Sequence, residues 1–135
     1  MENMLAPKTT GKKILIVEDE QFISELYVRS LTKAGYDVKV AVDGQEALVE
    51  AQSNKYDIVL LDIMLPNLIG TEILRRLRDK QETPNLKAKV IITTNLEMDE
   101  QRRATIETQA DGYLVKAEVT PKELVTFLNQ LQLSN

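Results

Sequence analysis

Side chains that can bind a cation or a phosphate stand at the ends of four short apolar runs in this sequence. Glu18 and Asp19 follow residues 13–17, Asp62 follows residues 58–61, Thr93 and Thr94 follow residues 90–92, and Lys116 follows residues 113–115. Moving a carboxylate out of water is costly unless something compensates, so an acid that ends an apolar run must be capped, paired or used. Asp62 is therefore the first candidate for a functional residue.

If the fold brings these groups together, they predict a site that binds a metal ion and accepts a phosphoryl group. Three carboxylates in one place repel each other, so they need cations, and Lys116 supplies one while a hard divalent ion supplies another. The chain has no cysteine and no histidine, and oxygen ligands alone select Mg²⁺ or Mn²⁺. Asp62 would accept a phosphoryl group as nucleophile. Glu18 and Asp19 would hold the metal, while Lys116 and a threonine hydroxyl would bind phosphoryl oxygens.

Each of these residues also has a purely structural interpretation. Residues 18–20 could be acids favoured at the start of a helix by its dipole. Asp62 could cap the following turn, Lys116 could be a surface lysine, Thr94 an ordinary strand residue and Tyr113 plain packing at a strand edge. The joint placement of acids and lysine at strand ends favours the functional interpretation.

The order of strands and helices explains why these residues should meet. Apolar runs predict strands at residues 13–17, 37–42, 58–61, 90–92 and 113–115, and helical spacing predicts helices at residues 21–34, 43–53, 70–80, 99–109 and 120–131. This alternation predicts an α/β fold with a doubly wound parallel sheet and helices on both faces. All strands of such a sheet present their carboxyl ends to one edge, where ligands bind.

Two of the helices carry more specific expectations. The helix at residues 99–109 has no clear apolar stripe, so we expect it to pack loosely. In the preceding helix, Arg75, Arg76 and Arg78 are interpreted as a solvated face.

Composition narrows the class of protein. A chain of 135 residues is sized for one domain, which we place at residues 13–133, after a polar and flexible leader at residues 1–12. The net charge of -4 argues against direct binding of nucleic acid. Apolar stretches are far shorter than the roughly 20 residues that span a membrane, and the leader has no apolar targeting segment, so the expected location is the cytoplasm.

The motifs of this sequence resemble those of a bacterial response regulator receiver domain of two-component signalling. The matching pieces are residues 14–19, 43–47, 57–66 with Gly70, 90–92 with Thr94, and 112–116. The resemblance runs from about Lys13 to Leu131. It implies the flavodoxin-like (βα)₅ receiver fold with strand order 2-1-3-4-5.

The resemblance also implies residue roles. Asp62 would receive the phosphoryl group from a sensor histidine kinase, a phosphotransfer protein or a small phosphodonor. Asp19 and Asp62 would bind Mg²⁺ together with the backbone carbonyl of Met64. The hydroxyl role would belong to Thr94. Tyr113 would be the aromatic switch, whose ring moves inward as the threonine closes on the phosphoryl group. The domain would catalyse only its own phosphorylation and dephosphorylation, so we do not expect an enzyme that turns over a separate substrate.

Two residues depart from the family's pattern. Asn95 follows Thr94 where a small residue is usual, and Ala117 follows Lys116 where proline is usual. A cis peptide before alanine costs about 2.5 to 4 kcal/mol, so this bond is either trans in a repacked loop or cis at that cost. Both positions lie near the expected signalling surface.

Three other functions remain open at the level of sequence. The two departures motivate a pseudoreceiver, an interaction module that no longer switches. A flavodoxin-like cofactor binder is disfavoured because residues 18–20 would oppose a phosphate. An Asp-x-Asp phosphatase is disfavoured because Met64 stands two residues after Asp62.

No output domain follows Leu131, so the expectation is a stand-alone receiver or part of a longer protein. It would act through a downstream protein partner, and the face of the last two helices is a candidate for phosphorylation-linked dimerisation.

Overall fold

The structure, a computed structural model, describes residues 9–95 and 97–133. Five strands form one parallel sheet in the order β2-β1-β3-β4-β5. The strands are β1 (Lys13–Val17), β2 (Asp37–Ala41), β3 (Ile58–Asp62), β4 (Lys89–Thr94) and β5 (Gly112–Val115). The predicted sheet and strand order are confirmed, and the observed ends differ from the predicted ends by at most two residues.

Over the described residues, five α-helices alternate with these strands. They are α1 (Gln21–Lys33), α2 (Gly44–Gln52), α3 (Gly70–Arg78), α4 (Glu100–Gln109) and α5 (Pro121–Asn129). The predicted starts of two helices are confirmed by their caps. The side chain of Asp43 accepts a hydrogen bond from the backbone N–H of Glu46, and Thr120 and Glu123 form a reciprocal capping box. None of these helices is long and apolar enough to cross a membrane.

Strands β1 and β3 are buried on both faces of the sheet. Leu15 and Val59 belong to the apolar cluster that contains the buried residues of α2 and α3, whereas Ile14 and Ile58 belong to the cluster on the α1 and α5 side. Successive side chains of a strand point to opposite faces, so a strand covered on both sides must be apolar throughout. This explains the continuous apolar runs, which hold the carboxyl ends of β1 and β3 rigidly in place.

The expectations for α3 and α4 have different outcomes. Only Ile106 is buried in α4, which confirms its weak apolar face. The prediction of a solvated arginine face holds for Arg75, which is exposed, whereas Arg76 and Arg78 are half-buried. Arg78 donates to the backbone carbonyl of Gln109 (2.6 Å) and to the carboxylate of Asp111 (2.9 Å). The last carbonyls of a helix lack partners within the helix, and Arg78 supplies one for α4.

The predicted leader is mostly outside the described residues, because residues 1–8 are not among them. At its end, the backbone N–H of Thr10 donates to the carbonyl of Gly35 (2.9 Å), after α1.

Candidate functional site

The carboxyl edge of the sheet brings together the residues singled out by sequence. In the strand register Asp62 is opposite Thr93, and Thr94 is opposite Val115, directly before Lys116. Glu18 and Asp62 are almost fully buried, with 2% and 5% of their surface exposed, whereas Asp19 is exposed. Two acids at this depth need compensation, which their neighbours provide.

Lys116 is the cation that compensates these acids. Its Nζ lies 3.0 Å from Oδ2 of Asp62 and 2.5 Å from Oε1 of Glu18. Burial by itself lowers the pKa of Lys116, but the hydrogen bond to Glu18 and the charge of Asp62 outweigh it and raise the pKa above the usual value. Lys116 is therefore a buried ammonium between two carboxylates, and the interpretation of it as a surface lysine is wrong.

Glu18 is held in an environment that penalises its charge. Burial, followed by the negative charge of Asp62, raises the pKa of Glu18, and the hydrogen bond from Lys116 offsets only part of this effect. Its other oxygen accepts from the backbone N–H of Glu20 (3.1 Å). Helix α1 begins at Gln21 with no acid in its first turn, so Glu18 is not there to complement the helix dipole.

The acids fit a hard divalent ion. One carboxylate oxygen from each of Glu18, Asp19 and Asp62 lies within 4.8 Å of the others. The donors are all oxygens and include an exposed member, which suits Mg²⁺ because this ion keeps several waters. Mn²⁺ has the same preference for oxygen. Lys116 offsets part of the negative charge in this cluster, and a divalent cation would offset the rest.

The loop after β3 folds tightly against Asp62. The backbone N–H of Met64 donates to Oδ1 of Asp62 (3.4 Å), so Met64 is close to the carboxylate, while the role of its carbonyl stays a prediction. The N–H of Gly70 donates to the carbonyl of Ile63 (2.8 Å). A Cβ at Gly70 would lie 2.1 Å from the backbone oxygen of Asp62, so only glycine allows this approach.

Thr94 and Tyr113 lie on neighbouring strands beside the acids. Thr94 ends β4 and is buried, with 1% of its surface exposed. Tyr113 is partly buried against the cluster on the α2 and α3 side, and its ring lies under the guanidinium of Arg103 from α4. Burial raises the pKa of Tyr113. The role of the Thr94 hydroxyl as a donor to the phosphoryl group stays a prediction, as does the role of Tyr113 as the switch.

Asn95 and Ala117 form a hydrogen bond with each other, which was not predicted from the sequence. The backbone N–H of Ala117 donates to Oδ1 of Asn95 (2.8 Å). No cis peptide bond occurs among the described residues, so the Lys116–Ala117 bond is trans, and residues Lys116–Glu118 form a single turn of 3₁₀ helix. The family resemblance drew attention to each residue separately, but nothing in the sequence indicated that they form a hydrogen bond with each other.

Tyr27 of α1 is a second residue that the sequence did not single out. It is buried, and burial raises the pKa of its phenol. The charge of Lys116 lowers that pKa, and the charges of Glu18 and Asp62 raise it.

Comparison with known proteins agrees with this geometry. A family model described as the response regulator receiver domain matches residues 14–129. The response regulator ArlR of Staphylococcus saprophyticus is 43% identical over 104 residues, which cover 77% of this chain and 45% of that protein. The chain therefore matches less than half the length of this relative.

Two solved structures are similar over most of the chain. The receiver domain of Francisella response regulator 1452 has a TM-score of 0.75 and 30% identity, covering 88% of this chain and 94% of that one. The BeF₃-activated N-terminal receiver domain of Klebsiella pneumoniae RstA has a TM-score of 0.74 and 32% identity, covering 87% and 95%. The fold and the site define a signalling domain of two-component systems. The chain belongs to the response regulator receiver domain family.

Proposed function

We propose that Asp62 is phosphorylated in a Mg²⁺-dependent reaction and that phosphorylation changes the contacts this domain makes with other proteins. The observation that supports this proposal is the buried carboxylate of Asp62 with the ammonium of Lys116 at 3.0 Å, beside the carboxylates of Glu18 and Asp19. This set of groups combines a nucleophile with positive charge and space for a metal, as phosphoryl transfer requires.

The proposed reaction needs little covalent chemistry from the protein. An oxygen of Asp62 forms a bond to phosphorus while the bond from phosphorus to the donor's leaving group breaks, and the leaving group takes the bonding electrons. The product is an acyl phosphate on Asp62. Lys116 pairs with one phosphoryl oxygen, and the Thr94 hydroxyl donates to another.

The metal would be held by this chain's own oxygens. Glu18, Asp19 and Asp62 would hold Mg²⁺ together with the backbone carbonyl of Met64. Bound Mg²⁺ supplies positive charge that offsets the phosphoryl oxygens. Lys116, positioned between Glu18 and Asp62, offsets the repulsion between these two carboxylates.

The partners follow from this chemistry. The phosphoryl group would come from a sensor histidine kinase, a phosphotransfer protein or a small phosphodonor in the cytoplasm. Phosphorylation would shift an existing equilibrium between two conformations through Thr94 and Tyr113. The output would be binding to a protein partner or to a second copy of the domain rather than to nucleic acid or membrane. The domain would turn over no substrate other than its own phosphoryl group.

Phosphorylation can be tested directly. The protein is incubated with acetyl phosphate and Mg²⁺, and its intact mass is measured. We expect one phosphoryl adduct, which disappears in Asp62→Asn and when Mg²⁺ is removed with a chelator. Asp57→Asn is the matched control, because Asp57 is a buried acid at the opposite edge of the sheet, where it accepts from the N–H of Lys13. Absence of an adduct on the unchanged protein would refute the proposal.

A pseudoreceiver is the second candidate function, and the bond between Asn95 and Ala117 is the observation that favours it. That bond ties the loop after Thr94 to the loop after Lys116, and a tied loop could prevent switching. Beryllofluoride with Mg²⁺ distinguishes the two candidates, since it mimics a phosphoryl group. A switching receiver changes the NMR signals of Thr94 and Tyr113, whereas a pseudoreceiver leaves them unchanged.

A further inference from the structure

Asn95 and Ala117 lie on two loops that leave the candidate site side by side. Asn95 directly follows Thr94 at the end of β4, and Ala117 directly follows Lys116 after β5. Strands β4 and β5 are neighbours in the sheet. The hydrogen bond from the N–H of Ala117 to Oδ1 of Asn95, which we term the loop clasp, therefore joins positions one residue beyond two groups of the proposed reaction.

The loop clasp depends on both residue types. Proline has no backbone N–H, so Ala117 supplies a donor that the residue usual at this position could not. A small apolar residue at position 95 would offer no side-chain acceptor. The N–H groups in the first turn of a helix have no partner inside that turn, and Asn95 satisfies the one from Ala117 in the turn at Lys116–Glu118. The hydrogen bond therefore requires both a backbone N–H at position 117 and an acceptor side chain at position 95.

We infer that Asn95 is a positioning residue for phosphoryl transfer, which acts by fixing the loop of Thr94 relative to the loop of Lys116. This inference rests on the proposed function. The hydroxyl and the ammonium must reach oxygens of the same phosphoryl group, and donors that are already in position stabilise the transition state without reorganisation. The clasp supplies that order from outside the charged cluster, because Asn95 accepts from the N–H of Ala117, one residue beyond Lys116.

The test uses a substitution that preserves shape. Asn95→Leu keeps a side chain branched at Cγ but removes the acceptor oxygen. We expect the rate of Asp62 phosphorylation by acetyl phosphate to fall roughly threefold to tenfold, as the loss of one hydrogen bond would predict. Mg²⁺ affinity, measured from the NMR shift of the Asp19 amide, should stay unchanged. The amide hydrogen of Ala117 should exchange faster with solvent, which is a readout independent of phosphorylation.

A double-mutant cycle separates the clasp from other effects. Ala117→Pro removes the donor, whereas Ala117→Gly keeps it and is the matched control. If the clasp acts as inferred, Asn95→Leu adds no further loss of rate in the Ala117→Pro background, and Ala117→Gly reacts at nearly the original rate. Losses that multiply in the double variant would mean that the two residues act separately, and the inference would be wrong.

The remaining outcomes distinguish this inference from the proposed function. If the unchanged protein forms no adduct, the proposed function fails and the inference fails with it. If the unchanged protein is phosphorylated and Asn95→Leu reacts at the same rate, only the inference fails. An Ala117 amide whose exchange is unaffected by Asn95→Leu would also overturn it, since the clasp would then not protect that amide.

Discussion

The guanidinium of Arg103 lies over the ring of Tyr113, with 4.5 Å between Cζ and the ring centroid. Nε of Arg103 also donates to Oε1 of Glu107, one helical turn further along α4 (2.8 Å). A cation over an aromatic face is attracted by the ring's quadrupole. Arg103 therefore holds the Tyr113 ring against α4, and Glu107 keeps Arg103 in place.

This contact predicts that Arg103 opposes inward movement of Tyr113. In Arg103→Gln the cation is lost, so we expect the population with the ring turned inward to increase by roughly twofold to fivefold. The measurement is the NMR signal of the Tyr113 ring at increasing beryllofluoride, which should saturate at a lower concentration. Arg102→Gln removes the same charge one position earlier on α4 and should behave like the unchanged protein. Equal saturation curves for both variants would contradict the prediction.

The sequence was sufficient to predict the sheet and most of the charged cluster. The apolar runs of β1 and β3 are explained by burial on both faces, and parallel strands necessarily bring their carboxyl ends to one edge. A parallel sheet alone predicts that Glu18, Asp62 and Lys116 lie at one edge, and the strand order that the family resemblance implies places their strands near each other.

Contacts that depend on loop paths and on helix placement were not predictable. The bond between Asn95 and Ala117 requires two loops to run side by side and one of them to form a 3₁₀ turn. The position of Arg103 over Tyr113 depends on how α4 sits on the sheet, and α4 has only one buried residue to fix that position. Neither geometry is encoded in a local pattern of residue types.

Lys116 should matter for stability before any phosphoryl group is bound. In Lys116→Met, Glu18 and Asp62 remain buried without their counter-charge, so we expect the free energy of unfolding in Mg²⁺-free buffer to fall by about 3 to 5 kcal/mol. Mg²⁺ should restore part of this loss, because it supplies positive charge to the same carboxylates. The measurement is urea unfolding with and without Mg²⁺ at constant ionic strength.

The control for this prediction is Lys122→Met, which removes an exposed lysine at the start of α5. It should change stability little, and Mg²⁺ should stabilise it no more than it stabilises the unchanged protein. A Lys116→Met protein as stable as this control would mean that the ammonium does not compensate the buried acids.

A buried tyrosine away from the site should make stability depend on pH. The hydroxyl of Tyr56 donates to Oε1 of Glu50 (2.6 Å), and this bond is the largest cause that lowers the pKa of Glu50, with Lys39 and Lys55 adding to it. A carboxyl whose pKa is lower in the folded state stabilises the fold above its usual value of 4.5 and loses that contribution as the pH falls through the folded value. We expect Tyr56→Phe to cost about 1 to 2 kcal/mol near neutral pH and less in acid.

The same measurement on Tyr36→Phe provides the comparison. The hydroxyl of Tyr36 donates to Oδ1 of Asn129 (2.6 Å), a neutral acceptor, so the cost of this change should not vary as carboxyl groups titrate. Urea unfolding of both variants at neutral and acidic pH gives the two differences. An equal pH dependence for the two variants would show that Glu50 is not the cause.

Gly70 should be required for the position of Asp62. Replacing a glycine inside a helix by alanine normally stabilises by about 0.5 to 1 kcal/mol, because it reduces the freedom of the unfolded chain. At Gly70 the new Cβ would lie 2.1 Å from the carbonyl oxygen of Asp62 and 2.7 Å from Cα of Ile63. Both are backbone atoms that cannot rotate away, so the clash outweighs the gain, and we expect a net loss of about 1 to 3 kcal/mol.

The same displacement should slow phosphorylation of Asp62, because the reacting carboxylate is the side chain of the residue whose backbone must move. In Gly70→Ala we expect slower phosphorylation by acetyl phosphate under conditions where the protein is still folded by circular dichroism. Gly112→Ala is the control, since its Cβ would lie 3.0 Å from the side-chain ends of Ile91 and Phe127, which can shift. If Gly70→Ala reacts as fast as Gly112→Ala while losing more stability, the close contact fixes the fold but not the phosphoacceptor.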